Sequence, residues 1–284
     1  MTIEVHAPRD VHTTLNYFTP LTDEPPYMYV SEPPTSVPRT NVGSDIHPVV
    51  IHDVRNKEDT VGLDTTGFQF VKYPSAEKLF EDEERVRNVY YPEVEEILKK
   101  YAAAKRVFIF DHTIRRHPTQ HEKVTSTNSD KTPQRGPVQR VHVDQTYTAA
   151  EERVRLHLGD EAERLLKGRY RIINVWRPIL NPVAHNPLAV ADYRSLDPER
   201  DLVPTRHIYA NREGSTFAVR HNPNHKWYYL SDQTPDEVTL IKCFDSDLDK
   251  ARLTPHSAFQ DNTSPKDAPQ RQSIEVRVLV FDAE

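Results

Sequence analysis

Within residues 140–146, Arg-Val-His-Val-Asp-Gln-Thr, apolar and polar side chains alternate with the period of a half-buried strand. Residues i and i+2 of a strand share a face, so His142 and Asp144 project side by side. An imidazole and a carboxylate so placed make two metal ligands that lack a third. A second His from a neighbouring strand would complete the two-His, one-carboxylate triad of non-heme iron(II) oxygenases. The pair alone is weak evidence. The chain has 14 His, and about one His-x-Asp is expected by chance at ordinary Asp content. The competing reading is a surface His–Asp pair.

A third ligand is offered near the C-terminus. Residues 237–245 read as a core strand, followed by a turn and by Thr254-Pro-His-Ser-Ala-Phe259. After a loop rich in Pro, Asp and Ser comes a last strand in which Ile274, Val276, Val278 and Val280 share one face. Arg271, Ser273, Glu275 and Arg277 share the other. A polar face on a terminal strand is commonly solvated, but in an open-mouthed barrel it would line the ligand cavity. A guanidinium grips a carboxylate through two parallel charge-assisted hydrogen bonds. Arg271, with the Ser273 hydroxyl two residues on, therefore suits the far carboxylate of a 2-oxo acid co-substrate. His256, which precedes that strand, becomes the third ligand, with His225 and His221 as rivals. Three protein ligands leave iron(II) three open positions, two for the 2-oxo acid and one for O2.

Composition narrows the class of protein. The 284 residues suit one large domain, and a charged fraction of 28% with a mean hydropathy of -0.73 indicates a soluble chain with a polar surface. A formal charge of -6 provides no basic footprint for nucleic acid or an anionic membrane. Seven Gly against 23 Pro disfavour Gly-rich phosphate cradles and suit short strands joined by stiff loops. The single cysteine, Cys243, lies in an apolar run and reads as a buried thiol in a reducing compartment, so a cytoplasmic protein is expected. No apolar stretch approaches a membrane span, and the N-terminus lacks a secretory core.

The positioning elements follow along the chain. Residues 1–60, rich in Pro, Thr and Asp, read as an extended arm, long enough to reach a partner in a homodimer. Residues 61–284 then form one β-rich domain. A strand over 67–72 is followed by Ser75 as a helix cap and by a helical stripe over about 76–105, which Pro92 divides in two. Residues 106–110 form a strand, and the basic, aperiodic stretch 115–140 reads as an active-site lid. Within it, His117 and His121 have zincin spacing but no Glu after the first His. Thr148 and Glu151 form a capping box for a helix over 149–167. From residue 170 short strands recur at 170–179, 206–209, 216–220, 226–230, 237–244 and 273–281, the pattern of a sandwich or barrel. Trp176 and Arg177 face opposite ways, as do Tyr228 and Tyr229. Arg177 reads as a structural ion-pair partner or a contact of the site, and one of the two tyrosines, Tyr229 being the candidate, as a contact of the cavity.

Over roughly residues 65–281 the chain resembles the CmcJ/AsaB-like hydroxylase/desaturase group of fungal and bacterial secondary metabolism, which includes a fungal meroterpenoid endoperoxidase. The likeness rests on His142-x-Asp144, on Asn174-Val-Trp-Arg-Pro-Ile179 and on Pro187-Leu-Ala-x-x-Asp192. It continues through His225-Lys-Trp-Tyr-Tyr229, Lys242-Cys-Phe-Asp-Ser246, Pro255-His-Ser-Ala-Phe259 and Arg271-x-Ser-x-Glu-x-Arg277. The resemblance implies a double-stranded β-helix (jelly-roll) fold with supporting helices. It also implies iron(II)/2-oxoglutarate-dependent oxidation of a small natural product by hydroxylation, desaturation, rearrangement or endoperoxidation. The spacing from His256 to Arg271 is longer than is usual in the broader superfamily and implies a long loop between the last two strands. Two other classes stay open: a redox-silent isomerase or lyase that needs the triad but not Arg271, and a non-catalytic jelly-roll binding module.

Overall fold

The computed structural model describes residues 9–116 and 136–283. Among the described residues fourteen strands dominate: β1 (Val11–Pro20), β2 (Tyr27–Tyr29), β3 (Val42–Asp53), β4 (Phe68–Lys72), β5 (Arg106–Arg115), β6 (His142–Val143) and β7 (Tyr170–Pro178). They continue as β8 (Leu188–Ala191), β9 (Leu202–Ile208), β10 (Glu213–Val219), β11 (Trp227–Tyr229), β12 (Glu237–Asp245), β13 (His256–Ala258) and β14 (Ser273–Phe281). Two sheets result, one of nine strands in the order β1-β3-β11-β8-β13-β6-β10-β9-β2 and one of five in the order β4-β12-β7-β14-β5. This is the jelly-roll expected from the family resemblance: mainly β, two curled sheets and few helices.

The five-stranded sheet is covered on both faces, which is why β7 is buried at every position. Its inner face sets Phe68, Ile172, Trp176, Ile241 and Leu279 against Val190 and Leu230 of the opposite wall. Its outer face packs Val71, Val175, Leu240, Ile274, Val276 and Val278 under Val94, Ile97 and Leu98 of a helix. That helix departs from expectation at its start. Residues 76–82 are not helical, and Asp82 is the cap, accepting hydrogen bonds from the backbone N–H groups of Glu84 and Arg85. Pro92 does not split it: a π turn over Val86–Tyr90 runs directly into Tyr91–Tyr101. The widened turn accommodates a residue that has no N–H to give to the preceding turn. The second helix, Tyr147–Leu158, is capped by Thr146 rather than Thr148, and a short helical segment, Ala162–Leu165, continues it after Gly159.

Residues 9–60, the described part of the expected arm, do not lie as an arm over the body. β1 and β3 pair along ten residues, and β3 runs parallel to β11, so both belong to the nine-stranded sheet. Leu15, Tyr17 and Ile51 are fully integrated in its core. The many Pro residues concealed this, because Pro48 sits within β3 at a position that pairs without interrupting the ladder. With the segment committed to the sheet, the premise for a partner-reaching arm falls away. The proposed lid lies in large part outside the described residues, as do His117 and His121.

Candidate metal centre and adjoining cleft

His142 and His256 are direct cross-strand partners on β6 and β13, and His256 is in turn paired with Val190 of β8. Val190 belongs to the core between the sheets. Register therefore turns both imidazoles inward, and Asp144, two residues on, follows. The Asp144 Oδ1 lies 3.4 Å from His142 Nε2 and 4.0 Å from His256 Nε2, and the two rings are 4.4 Å apart. One ligand atom from each of the three residues falls within 4.8 Å of the others, and they form the only such metal-holding group among the described residues.

The surroundings prepare these groups as ligands. His142 Nδ1 is 2.7 Å from the Arg140 carbonyl oxygen and His256 Nδ1 is 3.1 Å from that of Thr254. Each ring thus donates from Nδ1 and turns an Nε2 lone pair toward the centre. Asn174 donates from Nδ2 to Asp144 Oδ2 at 2.6 Å, and Arg277 Nε lies 3.6 Å from the same oxygen. Burial alone would raise the Asp144 pKa, but His142, Arg277 and His256 hold it well below the usual carboxylate range. Burial, reinforced by His142, pushes the His256 pKa down. For His142 burial acts the same way, yet the hydrogen bond and charge of Asp144 prevail and raise it. The shifts of Asp144 and His256 run toward the ionised carboxylate and neutral imidazole that bind a divalent cation, whereas His142 shares a proton with Asp144 that a cation would displace.

Opposite the triad stand β7 and β14. Asn174 and Arg277 are paired in register, as are Trp176 and Glu275. The polar face of the last strand is buried here rather than solvated: Arg271, Glu275 and Arg277 line a small cavity with His142, Asp144 and His256. Arg271 is 5% exposed, and its guanidinium carbon lies 5.5 Å from the Trp176 ring. Its Nη1 donates to the Asn186 carbonyl at 2.6 Å, but its Nε is buried with no partner among the described residues. Burial, with a smaller contribution from Arg115, pushes its pKa down to about 9. Ser273 is buried in the same strand but does not line the cavity.

The remaining expectations fall elsewhere. Arg177 is wholly buried on the opposite face of β7, donating to the Pro235 carbonyl at 2.6 Å and to Tyr90 Oη at 3.3 Å. Strand alternation puts it there once Trp176 faces the cavity. Tyr229 donates to the Arg9 carbonyl at 2.6 Å and packs on Phe259, so it braces the N-terminal segment and does not touch the site. Tyr228 contacts His52 and Phe68. The rival ligands are likewise distant in role: His225 is bound to Asp201 at 2.9 Å, and His221 stacks on His47.

A cleft of about 570 Å³ adjoins the triad and shares Arg115, Asp144 and Arg277 with the small cavity. Phe110, Leu156, His207 and Tyr209 are among its other walls. A wider groove of about 1150 Å³, running past Asp192, Asp201 and Lys226, touches none of the triad. Sequence reasoning missed the roles of Asn174 and His207. Asn174 carried a signal, because it shares a strand face with Trp176. His207, which faces Thr216 Oγ1 at 3.1 Å, carried none.

A family model described as "YDMC: Oxidoreductase/YMDC permease-like domain" matches residues 15–281. The hydroxylase/desaturase efuI of Hormonema carpetanum is 38% identical over 300 residues, covering 99% of this chain and 98% of that relative. The Fe(II)/2-oxoglutarate-dependent dioxygenase nvfI of Aspergillus novofumigatus is 36% identical over 242 residues, covering 83% of each. A solved structure of the iron and alpha-ketoglutarate-dependent endoperoxidase NvfI superposes with a TM-score of 0.84 at 33% identity, covering 97% of this chain and 99% of that one.

Proposed function

The chain belongs to the hydroxylase/desaturase family of oxidoreductases, and we propose that it is an iron(II)/2-oxoglutarate-dependent dioxygenase that oxidises a small natural product in secondary-metabolite biosynthesis. His142, Asp144 and His256 hold the iron(II) in this reading. Two imidazoles with Nε2 turned inward and one ionised carboxylate suit a borderline cation and leave positions open to other ligands.

The observation that carries the co-substrate is Arg271. A guanidinium buried beside the triad, with an orphaned Nε and no acid bound to it among the described residues, calls for an anion. The distal carboxylate of 2-oxoglutarate supplies one. Ser273, expected to share that carboxylate, does not line the cavity and is given no contact to it. Bound together, iron(II), 2-oxoglutarate and O2 supply an oxidant strong enough to take hydrogen from an unactivated C–H bond, with succinate and carbon dioxide as by-products.

The chain's own residues bind and orient. The Arg140 and Thr254 carbonyls fix the two rings, and Asn174 with Arg277 fixes Asp144, so the ligand set is preorganised. Trp176 packs beside the Arg271 guanidinium and would steady it for the carboxylate. The cleft bounded by Phe110, Leu156 and Tyr209 holds the substrate against the open side of the triad. Hydroxylation, desaturation, rearrangement and endoperoxidation differ in where the substrate carbon sits relative to that side. We place the protein in the cytoplasm, a reading supported by the buried free thiol of Cys243. Among the described residues no helix is long and apolar enough to cross a membrane.

The test is metal analysis with thermal melting. Protein reconstituted anaerobically should hold stoichiometric iron(II), and Asp144→Ala should hold none. 2-Oxoglutarate should raise the melting temperature of the metal-loaded protein alone. A 2-oxoglutarate effect of equal size without metal would refute the assignment.

A further inference from the structure

The cleft beside the triad carries a second set of unspent cations. Arg153 projects from the helix Tyr147–Leu158, with its guanidinium carbon 5.2 Å from the Phe110 ring. Arg212, in the turn between β9 and β10, lies over the Tyr209 ring at 4.0 Å. Both line the cleft. Neither forms an ion pair or a hydrogen bond with an acid among the described residues. Asp111 on the same wall acts on Arg153 only through its charge, being bound to Arg277 at 3.0 Å.

The charge of Arg212 reaches Arg153. Burial lowers the Arg153 pKa, and the charge of Arg212 lowers it further. Beside them His157 stacks on Phe110, with its Nε2 buried and unpartnered, and it too is disfavoured as a cation by burial and by both arginines. Two like charges gathered on aromatic platforms are an unfavourable arrangement for an empty cleft. The arrangement becomes favourable with an anion between them. Stacking on a ring occupies the face of a guanidinium and leaves its edge N–H groups free for a carboxylate. The same cleft is lined by Leu156, an apolar side chain left 63% exposed, and by Asp144.

We propose that Arg153 and Arg212 form the anchor for a carboxylate on the organic substrate, so that the enzyme acts on an apolar natural-product acid rather than on its neutral ester. The acid group is held at the cleft wall formed by Phe110 and Tyr209, and the hydrocarbon skeleton lies over Leu156 with its far end at the triad. This inference rests on the oxygenase reading for the role of the triad, but the anion site stands on its own geometry. It is distinct from the co-substrate anchor, since Arg271 lines only the small cavity.

The experiment is calorimetric binding to the full chain loaded with manganese(II) and N-oxalylglycine, which fill the triad and the Arg271 anchor without turnover. The probes are decanoic, naphthoic and abietic acids, each with its methyl ester. At least one acid should bind about tenfold more tightly than its ester, the effect of one charge-assisted hydrogen bond. That preference should shrink with rising salt. In the Arg153→Gln/Arg212→Gln double variant it should vanish while N-oxalylglycine affinity stays unchanged. Acids and esters binding alike, no acid binding at all, or a preference that survives in the double variant would each overturn the proposal. Should manganese and N-oxalylglycine fail to bind while the acid preference appears and is lost in the double variant, the co-substrate reading falls and the carboxylate anchor stands.

Discussion

Replacing Arg271 by Met should leave the metal-free protein as stable as before, or more so, while abolishing its response to 2-oxoglutarate. The guanidinium keeps its proton inside proteins, so the fall of its pKa from 12.5 to about 9 is a cost borne by the fold. At about 1.4 kcal/mol per pKa unit that is about 5 kcal/mol. The Asn186 hydrogen bond and the Trp176 ring recover part of it, together about 2–3 kcal/mol. The shorter thioether removes the charge, keeps an apolar stem in place of the aliphatic part of Arg271 and leaves one carbonyl short of a donor. Exchanging buried charge for apolar volume in this way is commonly neutral or stabilising by about 1–4 kcal/mol, and each kcal/mol raises the midpoint by about 2–4 °C in a chain approaching this length. Thermal melts followed by circular dichroism, with and without manganese(II) and 2-oxoglutarate, read both effects. The variant should melt at or up to several degrees above the wild type, and saturating 2-oxoglutarate should no longer shift it. A midpoint lowered by several degrees would mean that Arg271 is a structural residue, and a retained 2-oxoglutarate shift would place the anchor elsewhere.

Three further outcomes are expected. Asn174→Ala frees Asp144 Oδ2 from its 2.6 Å donor and should weaken iron(II) affinity by about 10–100-fold with the fold intact, as read by competition with a metal-sensitive dye; unchanged affinity would remove Asn174 from the site. Gly67 holds a φ of +91°, and a Cβ there would strike the Thr254 hydroxyl and come within 2.8 Å of the Leu253 carbonyl oxygen. Gly67→Ala should therefore cost about 2–5 kcal/mol in urea unfolding and lower metal occupancy, because the Thr254 carbonyl orients His256. Burial would raise the Asp64 pKa, but hydrogen bonds from Arg169 and Lys242 take it down to about 2, below its ordinary 3.8. A carboxylate with a depressed pKa in the folded state adds stability that is present above its unfolded value and lost as pH falls through the folded one. Stability should thus decline between about pH 4 and pH 2, and Asp64→Asn should make that decline shallower; an unaltered slope would refute the coupling.

The triad was legible because it obeys strand rules. Alternation placed His142 and Asp144 together, and the chain order from His256 to the Arg271 strand favoured His256 over His225 and His221 as the residue that joins them. The long loop implied by their spacing is the stretch between β13 and β14. The inward aim of Arg271, Glu275 and Arg277 was not decided, since a polar strand face looks the same whether it meets solvent or an enclosed cavity. Of the two roles open to Arg177 the structural one holds, since Trp176 takes the inner face of β7 and leaves Arg177 on the outer one; Tyr229, a candidate contact of the cavity, instead donates to the Arg9 carbonyl. The N-terminal strands were hidden for a related reason. Their ladders are built with residues distant in sequence, β3 with β11 across some 175 positions, and Pro within them outweighed a period that tertiary pairing alone rewards. His207 and the Arg153–Arg212 pair lie on a helix, a strand and a turn that only the folded chain brings together.

At the centre of the proposed function is iron(II) held by His142, Asp144 and His256, with a 2-oxo acid anchored by Arg271. Anaerobic titration of the iron(II)-loaded protein with 2-oxoglutarate, followed in the visible range, tests this most directly. A weak charge-transfer band should grow to saturation in the wild type, and it should be absent in His256→Ala and in Arg271→Met. Iron that is bound but yields no band with 2-oxoglutarate would contradict it.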